Sequence, residues 1–245
     1  METLRGGAAA VLIGLATALV IVAVVLPLFL NPVWVAFEQG RAQATAWTGF
    51  SEPDLRAATD AILADLVVGP PDFDVAVAGR PVLIERERGH MRDVRGVFAG
   101  FYAVTLVAGF GALIVAARRR GTARVRTWHS VRTGATVLIA ALVAGGIVSF
   151  FAFDMLFEVF HQIFFASGSY TFDPATERLV QLFPFQFWQE TAIVVGAVCI
   201  ALAAVVVAIA TIRESAVQAA GAPTSPDASG LADGTSSLPA AGESR

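Results

Sequence analysis

Two histidines, His90 and His161, are the residues of this chain best suited to moving protons near neutral pH. They are far apart in sequence, yet His90 stands just before one long apolar stretch and His161 just after the next. Two consecutive membrane spans return the chain to the side it left, so both histidines fall on one face. Each has acids nearby. If a helix begins near His90, Asp93 lies three residues on and shares its face. It then either holds the imidazole tautomer or favours the helix N-terminus. Asp154, Glu158 and His161 fall at i, i+4 and i+7, one stripe of a helix. Acids at a span end are costly unless paired or wetted, which makes them functional candidates. The plainer alternative is that they mark the helix exit and meet arginines of a cap over the bundle.

Other chemistries find little support. The sequence contains no serine-nucleophile elbow, no HExxH, no Walker loop and no glycine-rich dinucleotide fingerprint. His90, His161, Asp154 and Glu158 could ligate a divalent metal, but no spacing requires one. The expectation is a site with no metal and no cofactor.

The elements that must position these residues follow from charge. The 245-residue chain is 56% hydrophobic and only 15% charged, too apolar for an ordinary soluble domain. Four uncharged stretches hold the excess: 6–30, 96–117, 134–153 and 191–212. About 20 apolar residues cross a hydrocarbon core of roughly 30 Å, so each is long enough to span a membrane. The first exceeds the roughly 7–15 apolar residues of a signal sequence, and Asn31-Pro32-Val33-Trp34 offers no small-residue cleavage pattern, so it reads as a retained helix.

The short loop 118–132 holds six arginines (118, 119, 120, 124, 126 and 132) and no acid, which places it in the cytoplasm. Both termini are then cytoplasmic, and both candidate histidines lie outside. The loop suits anionic lipid headgroups better than nucleic acid. His129 within it reads as a surface residue, and Cys199, in the fourth span, as a small apolar packing residue.

The expected fold is an α-helical integral membrane protein, four transmembrane helices with a small extracellular α/β cap. The first helix occupies 1–30, the cap segment 31–93 and the second helix 94–117. A basic loop at 118–133, the third helix at 134–157, an aromatic outer segment at 158–190 and the fourth helix at 191–212 follow. The tail, 213–245, is rich in Ala, Gly, Ser and Pro and reads as disordered. In the cap segment, Ser51-Glu52-Pro53 is a helix start, with Leu55, Ala58, Ile62, Leu63 and Leu66 at helical spacing and Gly69-Pro70-Pro71 as its stop. Phe73, Val75 and Val77, then Val82 and Ile84, alternate around Gly79-Arg80-Pro81, a short hairpin whose proline weakens the second strand. No span has a midplane charge or an evident break, which argues against a transporter.

Residues 150–187 contain 11 of the 18 phenylalanines. Tyr and Trp belt membrane interfaces because they have a polar end, and phenylalanine has none. Such density points to a pocket for acyl chains, with Phe157, Phe160, Phe164, Phe165, Phe172 and Trp188 as its candidate wall.

Taken together, His90-Met91-Arg92-Asp93-Val94, Phe160-His161-Gln162-Ile163-Phe164-Phe165, the run from Phe172-Asp173-Pro174 to Val180, Leu182-Phe183-Pro184 and Phe187-Trp188 resemble the bacterial lipoprotein intramolecular transacylases (Lit). The resemblance covers about residues 6–213. It implies two catalytic histidines, His90 and His161, where cap and membrane meet, with Asp93, Asp154, Glu158, Arg92, Tyr170 and Asp173 in support. It also implies an activity at the bacterial plasma membrane, with diacylated lipoproteins as substrates. One acyl chain would pass from the sn-2 oxygen of the glyceryl group to the α-amino group of the N-terminal cysteine. Tyr170 replaces a more usual tryptophan, and Glu177-Arg178 departs from the family pattern. The alternatives are another lipid-modifying enzyme, or a non-enzymatic scaffold or sensor with a ligand-binding cap and pH-responsive histidines.

Overall fold

A computed structural model describes residues 2–220. Helix α1 (Glu2–Val25) ends in a single 3-10 turn, Leu26–Leu28. Helix α5 (Glu85–Arg118), α6 (Thr122–Phe164) and α8 (Phe185–Ala220) are the other three long enough and apolar enough to cross a membrane. All four run past the hydrocarbon. The first three turns of α5, residues 85–95, carry seven charged side chains and project beyond the uncharged stretch 96–117. Helix α8 continues through Ala220, so residues 213–220, expected in the tail, are helical; the remainder of that tail lies outside the described residues.

α1 is the hub of the bundle, touching α5 on one side and α6 and α8 on the other. α6 packs along α8, whereas α5 and α6 touch only slightly. At one crossing α1 and α6 meet backbone to backbone. A Cβ built on Gly134 would come within 2.6 Å of Gly14 Cα, which is closer than real carbon atoms approach. Small residues that let helices come this close are a common device in membranes, where no hydrophobic force drives helices together.

The third span is not continuous. Ala152 has φ −148° and ψ 48°, a non-helical residue inside α6. No proline announces it, and it lies at the outer end of the uncharged stretch, two residues before Asp154, so the expectation of an unbroken third span fails there.

The short elements form a layer over one end of the bundle. Helix α2 (Pro32–Arg41) starts at Asn31, whose side chain accepts from Val33 and Trp34 N–H, with Pro32 at its first position. α3 (Ala44–Thr48) and α4 (Glu52–Val67) follow, α4 capped by the Ser51 hydroxyl. The hairpin is smaller than the alternation implies. β1 (Ala76–Val77) pairs antiparallel with β2 (Arg80–Pro81), Ala76 opposite Pro81, with one further bond from Val82 N–H to Val75 O. Pro81 has no N–H to extend the ladder. Helix α7 (Arg178–Leu182) completes the layer, which is therefore almost wholly helical. Its core unites both connecting segments: Ile62, Phe73 and Val82 from the first pack with Leu179, Leu182 and Phe187 from the second. Gln39 is buried at this seam, donating to Thr59 Oγ1 at 3.0 Å and to Leu182 O at 2.9 Å.

Gly134→Ala overpacks the α1–α6 crossing, for which about 1–3 kcal/mol of destabilisation is typical. Thermal unfolding in detergent should show a lowered midpoint. Gly96→Ala, whose new methyl meets nothing within 4 Å, should leave the midpoint unchanged or raise it.

Candidate active site

His90 sits in the second turn of α5 and His161 in the last turn of α6. Their rings face each other, stacked 21° from parallel with centroids 5.8 Å apart. Each is only 7% exposed. Aromatic rings enclose them. Phe165 lies against both, at 4.7 Å from His90 and 5.3 Å from His161. Phe172 covers His90 at 5.4 Å, while Phe157 and Tyr170 cover His161 at 4.1 and 5.1 Å.

The nitrogen atoms are distinguishable. His161 Nδ1 is 2.7 Å from the Phe157 carbonyl oxygen. A carbonyl can only accept, so Nδ1 holds the proton and the neutral ring presents a lone pair at Nε2. His90 Nδ1 is buried with no hydrogen-bond partner among the described residues. Burial pushes the His90 pKa from 6.5 down to about 4; His161 adds to that shift and Asp93 opposes it. His90 is therefore a neutral imidazole at physiological pH.

Several candidate supports lie elsewhere. Asp93 is exposed and makes no hydrogen bond to His90, so it does not fix the tautomer. Arg92 turns back to Glu85 at 2.6 Å. Asp154 is exposed and has no ion pair or hydrogen bond among the described residues. Glu158 is also exposed and does not touch an imidazole directly. It accepts from Gln162 and, at 3.0 Å, from the Tyr170 hydroxyl, reaching His161 only through the Tyr170 ring. Partial burial, reinforced by Glu158, raises the Tyr170 pKa and keeps the phenol protonated. The Asp173 carboxylate caps Ala175 N–H at 2.9 Å and only organises its own turn. Among the proposed wall residues, Phe160 touches His161 at 5.4 Å. Phe164 and Trp188 stand one ring further out, against Phe160 and Phe157.

The residue that anchors the site was not among the candidates. Glu87 is fully buried, one turn before His90. Its Oε2 accepts from Ile84 N–H at 2.8 Å and its Oε1 from Leu179 N–H at 2.6 Å, joining α5 to α7. Desolvation raises the Glu87 pKa and these amides oppose the shift. Beside it Arg86 donates to Glu177 at 2.5 and 2.6 Å, Glu177 accepts from Asp173 N–H, and the Arg86 guanidinium covers the Phe172 ring at 5.0 Å. These contacts hold the loop bearing Phe172 against His90. The available signal was Glu-Arg-Glu at 85–87: an acid at the third helical position commonly folds back onto the helix start.

A second ionisable cluster joins α2 to α8. Arg41 donates to Glu190 at 2.5 Å and stands 4.0 Å from the buried Glu38. Arg41 holds the Glu190 pKa down to about 2, and burial, with Glu190 alongside, lifts Glu38 to about 6. This cluster fixes the layer to the fourth span and shares no contact with the histidines.

The depressed His90 pKa has a visible consequence. The unfolded chain takes up a proton near pH 6.5 that folded His90 refuses until about pH 4, so stability falls as the pH drops through that window. In a histidine-labelled NMR titration the His90 Cε1 proton should hold a constant shift from pH 8 to 5. A midpoint near 6.5 would show that the imidazole is wetter than this geometry allows.

The family model "Lipoprotein intramolecular transacylase Lit" matches residues 10–188. No match was found among curated proteins. Among solved structures, the membrane-integral lipoprotein intramolecular transacylase Lit from Bacillus cereus aligns at a TM-score of 0.69 and 12% identity, over 88% of this chain and 98% of that one. A variant of the same protein with histidine replaced by arginine aligns at 0.64 and 12% identity, covering 89% and 96%. Another, with histidine replaced by alanine, aligns at 0.56 and 13% identity, covering 89% and 94%. At such identity these neighbours establish the fold, and the family model covers well over half of the sequence. The chain belongs to the Lit family of lipoprotein intramolecular transacylases, acyltransferases of the membrane.

Proposed function

We propose that the chain transfers the sn-2 acyl group of a diacylglyceryl lipoprotein to the α-amino group of that lipoprotein's N-terminal cysteine. The product is an N-acylated lyso-lipoprotein. The reading rests on one observation: two buried, stacked imidazoles, one of which has a lone pair freed by its bond to a backbone carbonyl.

An α-amino group has a pKa near 8, so a minority is neutral and nucleophilic at pH 7. Its nitrogen attacks the ester carbonyl, and the carbon–oxygen π pair moves onto the oxygen. His90 donates an N–H to that oxyanion as a neutral imidazole, which costs no charge in a dry site. Its pKa of about 4 leaves it without a spare proton, so it is not the protonated acid that a simple acid–base pair would assign. His161 Nε2 takes the proton from the attacking nitrogen. The carbon–oxygen bond to the glyceryl group breaks, and His161 returns the same proton to the departing alkoxide. Protons balance with no cofactor and no enzyme nucleophile. Base catalysis contributes about 10²–10⁴-fold.

The expected loop 118–133 is only a short turn at 119–121, because α6 already begins at Thr122. The orientation that suits this chemistry puts this arginine-rich turn, the first turns of α6 and both termini in the cytoplasm of a bacterium. The head layer and the histidines then face outward. A cysteine at Ser169, in a Cys199→Ala background, should react with an impermeant maleimide on intact cells. One at Thr122 should react only after lysis. The reverse pattern would overturn the orientation.

Activity is read by mass spectrometry of a reporter lipoprotein's N-terminal peptide, in a host without its own N-acylating enzymes. The parent chain should convert the S-diacylglyceryl form to the lyso, N-acyl form. His161→Ala and His90→Ala should each reduce conversion by about 10²-fold or more. A well-folded parent that converts no reporter, or full activity in either variant, would sink the assignment.

A further inference from the structure

A cavity of about 640 Å³ opens between α6 and α8, below the histidines. Its wall on α6 runs from Ala141 to Leu156 and on α8 from Ala192 to Ile200. At 1.5 Å per residue these walls are about 22 and 12 Å long. Half of a hydrocarbon core is about 15 Å, the depth that one leaflet's acyl chain occupies. The single polar side chain on the wall is Ser149. One hydroxyl is too few to hold a headgroup or an ordered water, which needs 2–4 polar partners.

The shape comes from glycine. Gly145, Gly146 and Gly196 line the cavity, and a Cβ placed on any of them meets nothing within 4 Å. Gly134, by contrast, is small because Gly14 leaves it no room. The three lining glycines admit no neighbouring backbone, and their missing side chains are part of the groove. Its upper end lies one aromatic ring below His161. Phe153 lines the groove just past the break at Ala152, and its ring is 5.9 Å from Phe157, which is 4.1 Å from His161.

We infer that this glycine-walled groove holds a fatty acyl chain of the lipoprotein substrate, and that Gly145, Gly146 and Gly196 set the chain length accepted. The inference rests on the proposed transacylation. A side chain at these positions fills the groove without a backbone clash. Discrimination by one methylene in a hydrophobic pocket is about 10–200-fold, and a leucine adds more than one.

The test uses synthetic S-diacylglyceryl lipopeptides with palmitoyl or octanoyl chains and the purified full-length protein. Gly196→Leu and Gly145→Leu should lower the palmitoyl-to-octanoyl rate ratio by at least about tenfold. Gly100→Leu, on α5 and facing open space, should leave the ratio unchanged. Thermal unfolding confirms that each variant is folded. An unchanged ratio in both groove variants, with an active parent, overturns the groove. A second readout needs no turnover: a lipopeptide with a diazirine at its acyl terminus, cross-linked by light and mapped by mass spectrometry. Adducts within 141–156 and 192–200, lost in Gly196→Leu, support the inference even if the parent proves inactive. Adducts confined to other helices overturn it.

Discussion

The site depends on the buried carboxylate of Glu87. Helices α5 and α6 each carry one histidine, yet they scarcely touch, so direct packing does not set the distance between the rings. That distance is set by the layer above. Glu87 binds the start of its own helix and the start of α7, and Arg86 and Glu177 bind the loop between α6 and α7. A carboxylate fully out of water is costly unless its oxygens are occupied, and here each oxygen accepts a backbone N–H. Leaving either amide unpaired in the buried interior would cost about 1–3 kcal/mol, so the clamp favours a single arrangement of loop and helix. Phe172 and Phe165 come with that loop and close over His90.

Dryness then has two opposed effects on the imidazoles. It denies His90 a positive charge, which removes the simplest acid from the site. It also strengthens any hydrogen bond the neutral ring makes to developing negative charge, because little solvent competes. The same enclosure bears on the choice of nucleophile. An activated ester beside a base is open to hydrolysis wherever water has access. Both rings are 7% exposed and aromatic on most sides, which keeps the competitor scarce. On the proposed transacylation, an amine tethered to the same molecule would be held there at high effective concentration.

The four spans were legible because a membrane imposes a blunt rule: about 20 residues without charge. The start of α4 was legible because Ser51-Glu52-Pro53 combines a capping hydroxyl with a proline at an allowed place. The same signal, Asn31-Pro32, opens α2 and was missed, because it follows directly on an apolar span and reads as its end. The acid associated with His90 illustrates a limit of spacing. Residues three before and three after a helical position share its face, so Asp93 and Glu87 are equivalent by period. Which one is buried depends on where α7 lies, a contact 92 residues away that no local pattern encodes. The stripe of Asp154, Glu158 and His161 fails for a related reason. Periodicity places residues on a face, but His161 turns inward to Phe165 and Tyr170, while the two acids remain exposed.

The bundle is tight at one level and open at another, and glycine serves both ends. Near the arginine-rich end of α6, Gly14 and Gly134 bring α1 and α6 into backbone contact. Toward the histidines, α6 breaks at Ala152, and Gly145, Gly146 and Gly196 line a groove between α6 and α8. A helix interior loses about 1 kcal/mol for each glycine in place of alanine, measured in water. At Gly134 that cost is offset by contact. At the three lining positions no contact offsets it, as at Gly96 and Gly100 on α5, and what sets the three apart is that they share one groove. A bundle selected for stability alone would carry side chains there, where nothing obstructs them. The groove ends beside the break at Ala152, and the proposed acyl occupant accounts for an open wall at that depth.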